Sequence, residues 1–243
     1  MADPRPVLLL TRPEAASRRF AAAFAGRFGQ DWPVLIAPLM QIVPAAVEVP
    51  RAAAVIFTSE NAVRYWPAAE PRPALAWCVG ARTAAAASAA GFTVRQGPGD
   101  AQGLVAAIRA ADAVDGPLLH AQGRHVAQDL ALALNSAGIE TLSVVIYDQI
   151  AVPAPAALTD VLAGEAPVLL PLFSPRSAEL LQKACPIRRA PLWLAAMSPA
   201  VRGAAAPLRA ARQVCAATPD AGAMLEALAV LIAAAAPDAD HPT

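Results

Sequence analysis

The chain has 243 residues, 57% of them hydrophobic, and its 19 basic side chains balance 19 acidic ones. This length allows two small domains or one large one, with enough apolar residues for a substantial core. The balanced charge excludes the broad basic surface with which proteins bind nucleic acid or a membrane.

The first half of the chain predicts short apolar strands that alternate with helices. After the strand at residues 7–10, Thr11 can cap a helix that stops near Gly26. Asp100 caps a later helix, which ends at about Ala111. Further strands are predicted at residues 34–36, 40–43, 55–57, 75–80 and 92–95.

The second half repeats this order, with strands predicted at residues 118–120, 142–150, 168–174, 192–195 and 214–216. Five pairs of positions correspond between the halves at a slowly drifting offset, which indicates duplication of one β/α unit. The pairs are Leu9 and Leu119, Gln41-Ile42 and Gln149-Ile150, Ser59 and Ser174, Gly80 and Ser198, and Asp100-Ala101 and Asp220-Ala221. The sequence therefore predicts the α/β class, with two similar parallel-sheet domains whose strand-end turns line one cleft.

Cys78, Cys185 and Cys215 are odd in number and form no CxxC pair, which predicts free, buried thiols in a reducing compartment. Residues 1–6 lack the apolar core of a signal peptide, so we expect a cytoplasmic protein. The apolar stretch at residues 227–236 is too short to span a bilayer and predicts a terminal amphipathic helix, followed by a frayed tail at 237–243.

Common catalytic motifs are missing: no GxGxxG follows a strand, and neither a phosphate-binding GxxxxGK[ST] nor a GxSxG is present. His120 and His125 are five residues apart without a carboxylate cluster, which favours core or solvent positions over a metal site. We therefore predict no metal site.

Six polar turns at predicted strand ends form the candidate ligand site. Each is expected to place backbone N–H groups at a helix N-terminus, where an anion is stabilised, although plain capping explains any single turn. All cations except Lys183 are arginines, whose planar guanidinium suits carboxylates. The turns are Thr11-Arg12, Thr58-Ser59-Glu60-Asn61, Gly80-Ala81-Arg82-Thr83, Gln122-Gly123-Arg124, Ser174-Pro175-Arg176-Ser177 and Met197-Ser198-Pro199.

Tyr147, in the run Val144–Ile150, is one of only two tyrosines. Its counterpart in the first half is Leu39, so the repeat does not require a hydroxyl there. Two interpretations stay open: an aromatic side chain in an edge strand, or a phenol that acts as a proton donor.

In order and spacing, these segments resemble the uroporphyrinogen-III synthase family over nearly the whole chain. The matching pieces are LLLTRPE, VIFTSENAV, CVGARTAAAASAAG with FTV, LLHAQGR, AGIETLSVVIYDQ, LFSPRSAELL and ATPDAGAMLEAL. The resemblance implies two α/β domains joined by two antiparallel connecting strands. It places residues 1–38 and 152–243 in one domain, 44–146 in the other, and 39–43 and 147–151 in the connector.

The resemblance also implies an activity: a lyase that closes linear hydroxymethylbilane and inverts its last pyrrole ring, through an azafulvene and a spiro intermediate. Such an enzyme needs no cofactor and takes a polycarboxylate tetrapyrrole, and we expect a monomer with at most transient contact to the preceding pathway enzyme. Tyr147 matches the family's proposed proton donor, Thr58 and Ser59 match its FTS turn, and Ser174 is their second-half partner. The implied substrate contacts are Thr11, Arg12, Thr58, Ser59, Asn61, Gly80, Arg82, Thr83, Gly123, Arg124, Ser174, Arg176 and Ser198.

The chain departs from the family at two turns. The second-half counterpart of the Gly80–Thr83 turn is Ser198-Pro199-Ala200-Val201, which lacks the threonine hydroxyl, and Gln122-Gly123 replaces the usual Arg-Gly step. Two alternatives to the enzyme stay open, and the altered Ser198 turn bears on the second of them. One is a non-catalytic two-domain cytoplasmic protein that binds an anionic ligand, and the other is an inactive family member that serves as a pathway partner.

Overall fold

A computed structural model describes residues 5–68, 72–111, 116–126 and 128–234. The strands in these residues are β1 (Val7–Leu10), β2 (Val34–Ile36), β3 (Met40–Pro44), β4 (Ala54–Phe57), β5 (Leu75–Cys78), β6 (Thr93–Gln96), β7 (Leu118–Gly123), β8 (Thr141–Ala151), β9 (Val168–Leu172), β10 (Leu192–Ala196) and β11 (Arg212–Cys215). The helices are α1 (Glu14–Phe28), α2 (Glu60–Arg64), α3 (Ala81–Ala89), α4 (Ala101–Ala110), α5 (Leu130–Ser136), α6 (Ala156–Ala163), α7 (Pro175–Ala184), α8 (Pro199–Ala204) and α9 (Ala221–Ala233).

The chain divides into two compact units, which consist of the described parts of Met1–Gln41 with Ala151–Thr243, and of Ile42–Ile150. The sheet of the first unit has the order β11-β10-β9-β1-β2, and its paired strands are parallel. The second sheet has the order β3-β8-β7-β4-β5-β6, and from β8 to β6 its pairs are also parallel.

The two sheets share one strand order, since β6-β5-β4-β7-β8 corresponds to β11-β10-β9-β1-β2. The first sheet takes two strands from the first half of the sequence and three from the second, whereas the second sheet takes four from the first half and two from the second. The repeat in the sequence is therefore divided differently in space. The predicted α/β class with two similar parallel sheets is confirmed. β3 lies beside β8 at the edge of the second sheet, whereas the antiparallel connector and the predicted domain bounds stay predictions.

Both faces of each sheet are covered by apolar side chains, which is why β9 and β10 are buried along their whole length. In the first unit, Leu8 and Leu10 pack with Phe24 and Leu228 on one face, while Leu9 belongs to the cluster on the other. In the second unit, Phe57 and Ile56 likewise belong to separate clusters.

The boundaries of α1 differ from the prediction. Pro13, not Thr11, is its N-cap, and the helix passes through Gly26 to end at Phe28. A single glycine inside a helix costs only about 1 kcal/mol relative to alanine, and the buried faces of Phe20 and Phe24 hold the helix in place. The chain leaves the helix at Gly29, whose φ of 95° suits glycine.

One further prediction about the second half is wrong, and one helix there was not predicted. Gln122 and Gly123 belong to β7, and the next helix begins only at Leu130, capped by Asp129. Helix α6, which follows Pro155, was also not predicted. By contrast, the predicted cap Asp100 and its second-half counterpart Asp220 each accept a hydrogen bond from the first turn of their helices.

The three cysteines are free, with Cys78 and Cys185 buried and Cys215 half-buried. Within the described ranges, no group of three or more His, Cys, Asp or Glu side chains could hold a metal ion. No described helix has the length and apolar character to cross a membrane. Of the predicted terminal helix and tail, residues 235–243 lie outside the described part.

Candidate functional site

Most of the predicted turns follow the carboxyl ends of parallel strands, the edge at which open α/β sheets bind ligands. In the first unit, Thr11 follows β1, Ser174 follows β9 and Ser198 follows β10. Leu172 is paired with Ala196, so Ser174 and Ser198 leave neighbouring strands at the same level. In the second unit, the turns at Thr58 and Gly80 follow β4 and β5, which are also neighbours.

The turn after β1 combines a buried hydroxyl with a cation. Thr11 is 1% exposed, and its Oγ1 has no hydrogen-bond partner among the described residues. The guanidinium of Arg12 lies 4.0 Å from the centroid of the Phe173 ring, at the end of the neighbouring strand β9. Ser17 Oγ donates to the Arg12 carbonyl at 2.9 Å and fixes the turn. This stacked arginine is half-buried and held at the sheet edge.

The two serine turns of this unit cap helices. Ser174 Oγ accepts from the Ser177 N–H at 3.2 Å and lies 2.9 Å from Ser177 Oγ, and Ser198 Oγ accepts from the Val201 N–H at 3.4 Å. Arg176 is half-buried in the first turn of α7. The capping role is therefore present at both serines, and binding of a ligand would use the remaining backbone N–H groups.

The turn after β4 is tied to its neighbours by its polar side chains. Ser59 Oγ accepts from the Asn61 N–H at 3.1 Å, and Thr58 Oγ1 lies 3.3 Å from Nε2 of His120 on β7. Glu60 Oε1 lies 3.3 Å from Nε of Arg82, whose side chain is 75% exposed. Thr58, Ser59 and Asn61 are each half-buried, so they are open on one side.

Gly80 allows two turns of the second unit to approach each other closely. A Cβ on Gly80 would lie 3.3 Å from Gly99 Cα, and the Gly99 N–H donates to the Val79 carbonyl at 2.8 Å. Gly80 is also the N-cap of α3 without a side-chain cap, which leaves the first N–H groups of a nine-residue helix for a ligand. Thr83, in the first turn, is 5% exposed and faces the core, so a ligand contact at this residue would use its backbone.

Tyr147, in the second unit, packs closely against Gly123 and lies near Tyr65. The β7–β8 register shifts between Gln122 and Gly123, which puts Gly123 opposite Tyr147. A Cβ on Gly123 would come within 2.6 Å of two Tyr147 ring carbons and 2.9 Å of its hydroxyl. The Tyr65 ring lies 6.4 Å from the Tyr147 ring, measured between centroids, and Tyr65 donates its O–H to the Ile42 carbonyl at 3.1 Å. Tyr147 is only 5% exposed.

Arg124 does not stand at a helix N-terminus, which corrects the prediction for that turn. Its backbone N–H donates to the Tyr147 carbonyl at 3.0 Å, and its Nε donates to Asp148 Oδ2 at 2.7 Å. These contacts follow from the extension of β7 beside β8. The hydrogen bond from Arg124 is the largest of several influences that lower the pKa of Asp148.

Sequence reasoning missed His120 and Asp148 as parts of this site, and it gave Tyr65 no role. Asp148 follows Tyr147 directly, which was a usable signal. His120 carried no signal of its own, since it contacts Thr58 only because β7 pairs with β4.

A family profile described as uroporphyrinogen-III synthase HemD matches residues 21–226. The solved uroporphyrinogen-III synthetase of Helicobacter pylori 26695 superposes with a TM-score of 0.65 at 15% identity and covers 93% of this chain and 98% of that chain. A mutant uroporphyrinogen III synthase of the extremely thermophilic bacterium Thermus thermophilus gives a TM-score of 0.52 at 15% identity, over 95% of this chain and 99% of that one. At 15% sequence identity, these two similarities show that the fold is shared. A search of curated protein sequences returned no match.

Proposed function

The chain belongs to the uroporphyrinogen-III synthase family, and from this premise we propose that it cyclises hydroxymethylbilane to uroporphyrinogen III with inversion of the terminal ring. The observation that carries the proposal is the family match over residues 21–226. The shared fold supports it, because the polar turns of this chain follow strand ends of that fold. The family also ties the proposal to heme and porphyrin biosynthesis.

The reaction requires that hydroxide leave the substrate, which an acid assists, and that the chain ends meet in one geometry. We assign the acid to Tyr147. The close contact of Tyr147 with Gly123 and the neighbouring Tyr65 ring support this assignment, because a phenol that is packed against its neighbours loses little entropy at each turnover. Loss of the hydroxyl as water gives the azafulvene. The substituted carbon of the last ring then attacks the electrophilic carbon of the azafulvene, which gives the spiro intermediate.

The substrate's carboxylates need donors, and we assign these to the strand-end turns. In the second unit the candidates are the uncapped N-terminus of α3 at Gly80, the half-buried side chains of Thr58, Ser59 and Asn61, and the exposed guanidinium of Arg82. In the first unit, Arg12 supplies the cation beside Thr11. Backbone N–H groups at Ser174, Arg176 and Ser198 complete the proposed contacts, together with Gly123 and Arg124 beside Tyr147.

A second candidate function is that of an inactive family member that binds another enzyme of the pathway. The observation that favours it is the Ser198-Pro199-Ala200-Val201 turn, which has Val201 in the place of the threonine Thr83 of the first half. Val201 is 2% exposed and packed in the core. Since Thr83 at the corresponding place is also buried, the missing hydroxyl removes little from the surface, and we favour the enzyme. Incubation with fresh hydroxymethylbilane separates the two candidates, because only the enzyme forms the type III ring isomer.

A further inference from the structure

His120 and Thr58 lie side by side at the carboxyl edge of the second sheet. His120 is 1% exposed and stands opposite Ile56 of β4. Thr58 follows the last residue of that strand and is half-buried. The distance from Thr58 Oγ1 to His120 Nε2 is 3.3 Å. The pair therefore joins a fully buried imidazole to a hydroxyl at the rim of the proposed substrate site.

A neutral imidazole carries one proton, either on Nδ1 or on Nε2. Burial lowers the pKa of His120 to about 4, against the weaker opposite effect of the Asp129 carboxylate, so the ring is neutral at pH 7. Its Nδ1 is buried and has no hydrogen-bond partner among the described residues. Asp129 itself caps α5 by accepting the Leu132 N–H at 3.0 Å.

The two tautomers differ in what they leave unpaired. A proton on Nδ1 would bury an N–H donor without an acceptor, an arrangement that proteins rarely tolerate. A proton on Nε2 is donated to Thr58 Oγ1 and leaves only a lone pair on Nδ1. A hydroxyl has a single proton and can accept as well as donate. Once Oγ1 accepts from the imidazole, its own proton is directed elsewhere.

We propose that His120 is a positioning residue, which donates from Nε2 to Thr58 Oγ1 and so commits the Thr58 hydroxyl to donate to a carboxylate of the substrate. This direction is the reverse of a nucleophile activated by histidine, in which the imidazole takes the hydroxyl's proton. The ligand's identity rests on the proposed function, whereas the tautomer is a property of the free protein.

The tautomer is measured directly on the unmodified protein. Nitrogen-15 labelling resolves protonated from unprotonated ring nitrogens, and the spectrum of His120→Gln assigns the signals of His120 among the three histidines of the chain. We expect the proton of His120 on Nε2 at pH 7. A proton on Nδ1 overturns the proposal, whether or not the protein forms the type III isomer.

Kinetics with hydroxymethylbilane test the consequence for binding. Thr58→Val and His120→Leu should each raise KM on the order of ten-fold, as for loss of a hydrogen bond to a charged group, with kcat changed by less than about two-fold. The double variant should bind no worse than Thr58→Val alone. His120→Gln, whose amide can present an N–H near the Nε2 position, should recover most of the affinity.

Thr141→Val is the matched control. Thr141 is also buried in this sheet and donates its hydroxyl to the Ile139 carbonyl at 3.0 Å, but it pairs with Leu118 at the opposite edge. This variant should lose stability and keep its KM. The proposal is overturned if Thr141→Val raises KM as much as Thr58→Val, or if the effects of Thr58→Val and His120→Leu multiply in the double variant. If His120→Leu does not fold, His120→Gln and the labelled spectrum decide.

Discussion

The ring of Tyr147 lies so close to Gly123 that a Cβ there would approach two ring carbons to 2.6 Å. The contact exists because the register shift in β7 puts these two residues opposite each other. Glycine at residue 123 therefore sets the position of the only tyrosine for which we propose chemistry.

Gly123→Ala should lower turnover by on the order of ten-fold or more, since a misplaced catalytic group costs rate steeply. Overpacking of this kind also costs about 1–3 kcal/mol of stability. Steady-state kinetics and thermal unfolding measure both effects. The control is Gly203→Ala in α8, where nothing lies within 4 Å of the new Cβ. Equal turnover in Gly123→Ala and the unmodified protein would show that the phenol position does not matter.

Tyr147→Phe tests the acid itself. General acid catalysis contributes about 10²–10⁴-fold, so kcat should fall within that range while the melting temperature changes by only a few degrees. The ring, its contact with Gly123 and its packing against Tyr65 are all retained. Unchanged kcat would leave Tyr147 as an aromatic of the core, the other interpretation of its sequence position.

Stability should depend on pH through His120. Its pKa is 6.5 in an ordinary environment and about 4 in the fold. Below pH 6.5 the unfolded chain binds a proton that the folded chain does not, so the free energy of unfolding falls as pH decreases toward 4, by roughly 3 kcal/mol at most. Denaturant unfolding at several pH values, compared with His120→Gln, isolates this contribution. Parallel pH profiles for the two proteins would contradict the burial of a neutral imidazole.

Gly26→Ala should stabilise the protein by up to about 1 kcal/mol, because Gly26 lies inside α1 with no atom within 4 Å of a new Cβ. Urea unfolding measures the change. Gly29→Ala is the contrast: its φ of 95° is strained for alanine, so that variant should be destabilised. A destabilised Gly26→Ala would mean that α1 ends before this residue, as its sequence first indicated.

Features governed by neighbouring residues were predictable from the sequence. Asp100 and Asp220 cap their helices through bonds to N–H groups three residues away, and the strands between them follow from apolar runs. The duplicated order of these elements was visible as well, and it appears as the shared strand order of the two sheets.

Features that depend on strand pairing were not predictable. Thr58 and His120 are 62 residues apart in sequence and meet only because β4 and β7 are neighbours. The same holds for Gln122 and Gly123. A polar residue followed by glycine indicates a turn, but pairing with β8 places both residues in the strand. Helix α6 has eight residues and follows a proline-rich segment, so its short apolar pattern was too weak to stand out.

The most direct test of the proposed function is the ring isomer formed from freshly prepared hydroxymethylbilane. The protein, a sample without protein and the Tyr147→Phe variant are incubated in parallel, and the porphyrins are oxidised and resolved. We predict mainly the type III isomer with the unmodified protein, only type I without protein, and a reduced share of type III with Tyr147→Phe. Type I alone in all three samples would contradict the assignment of synthase activity to this chain.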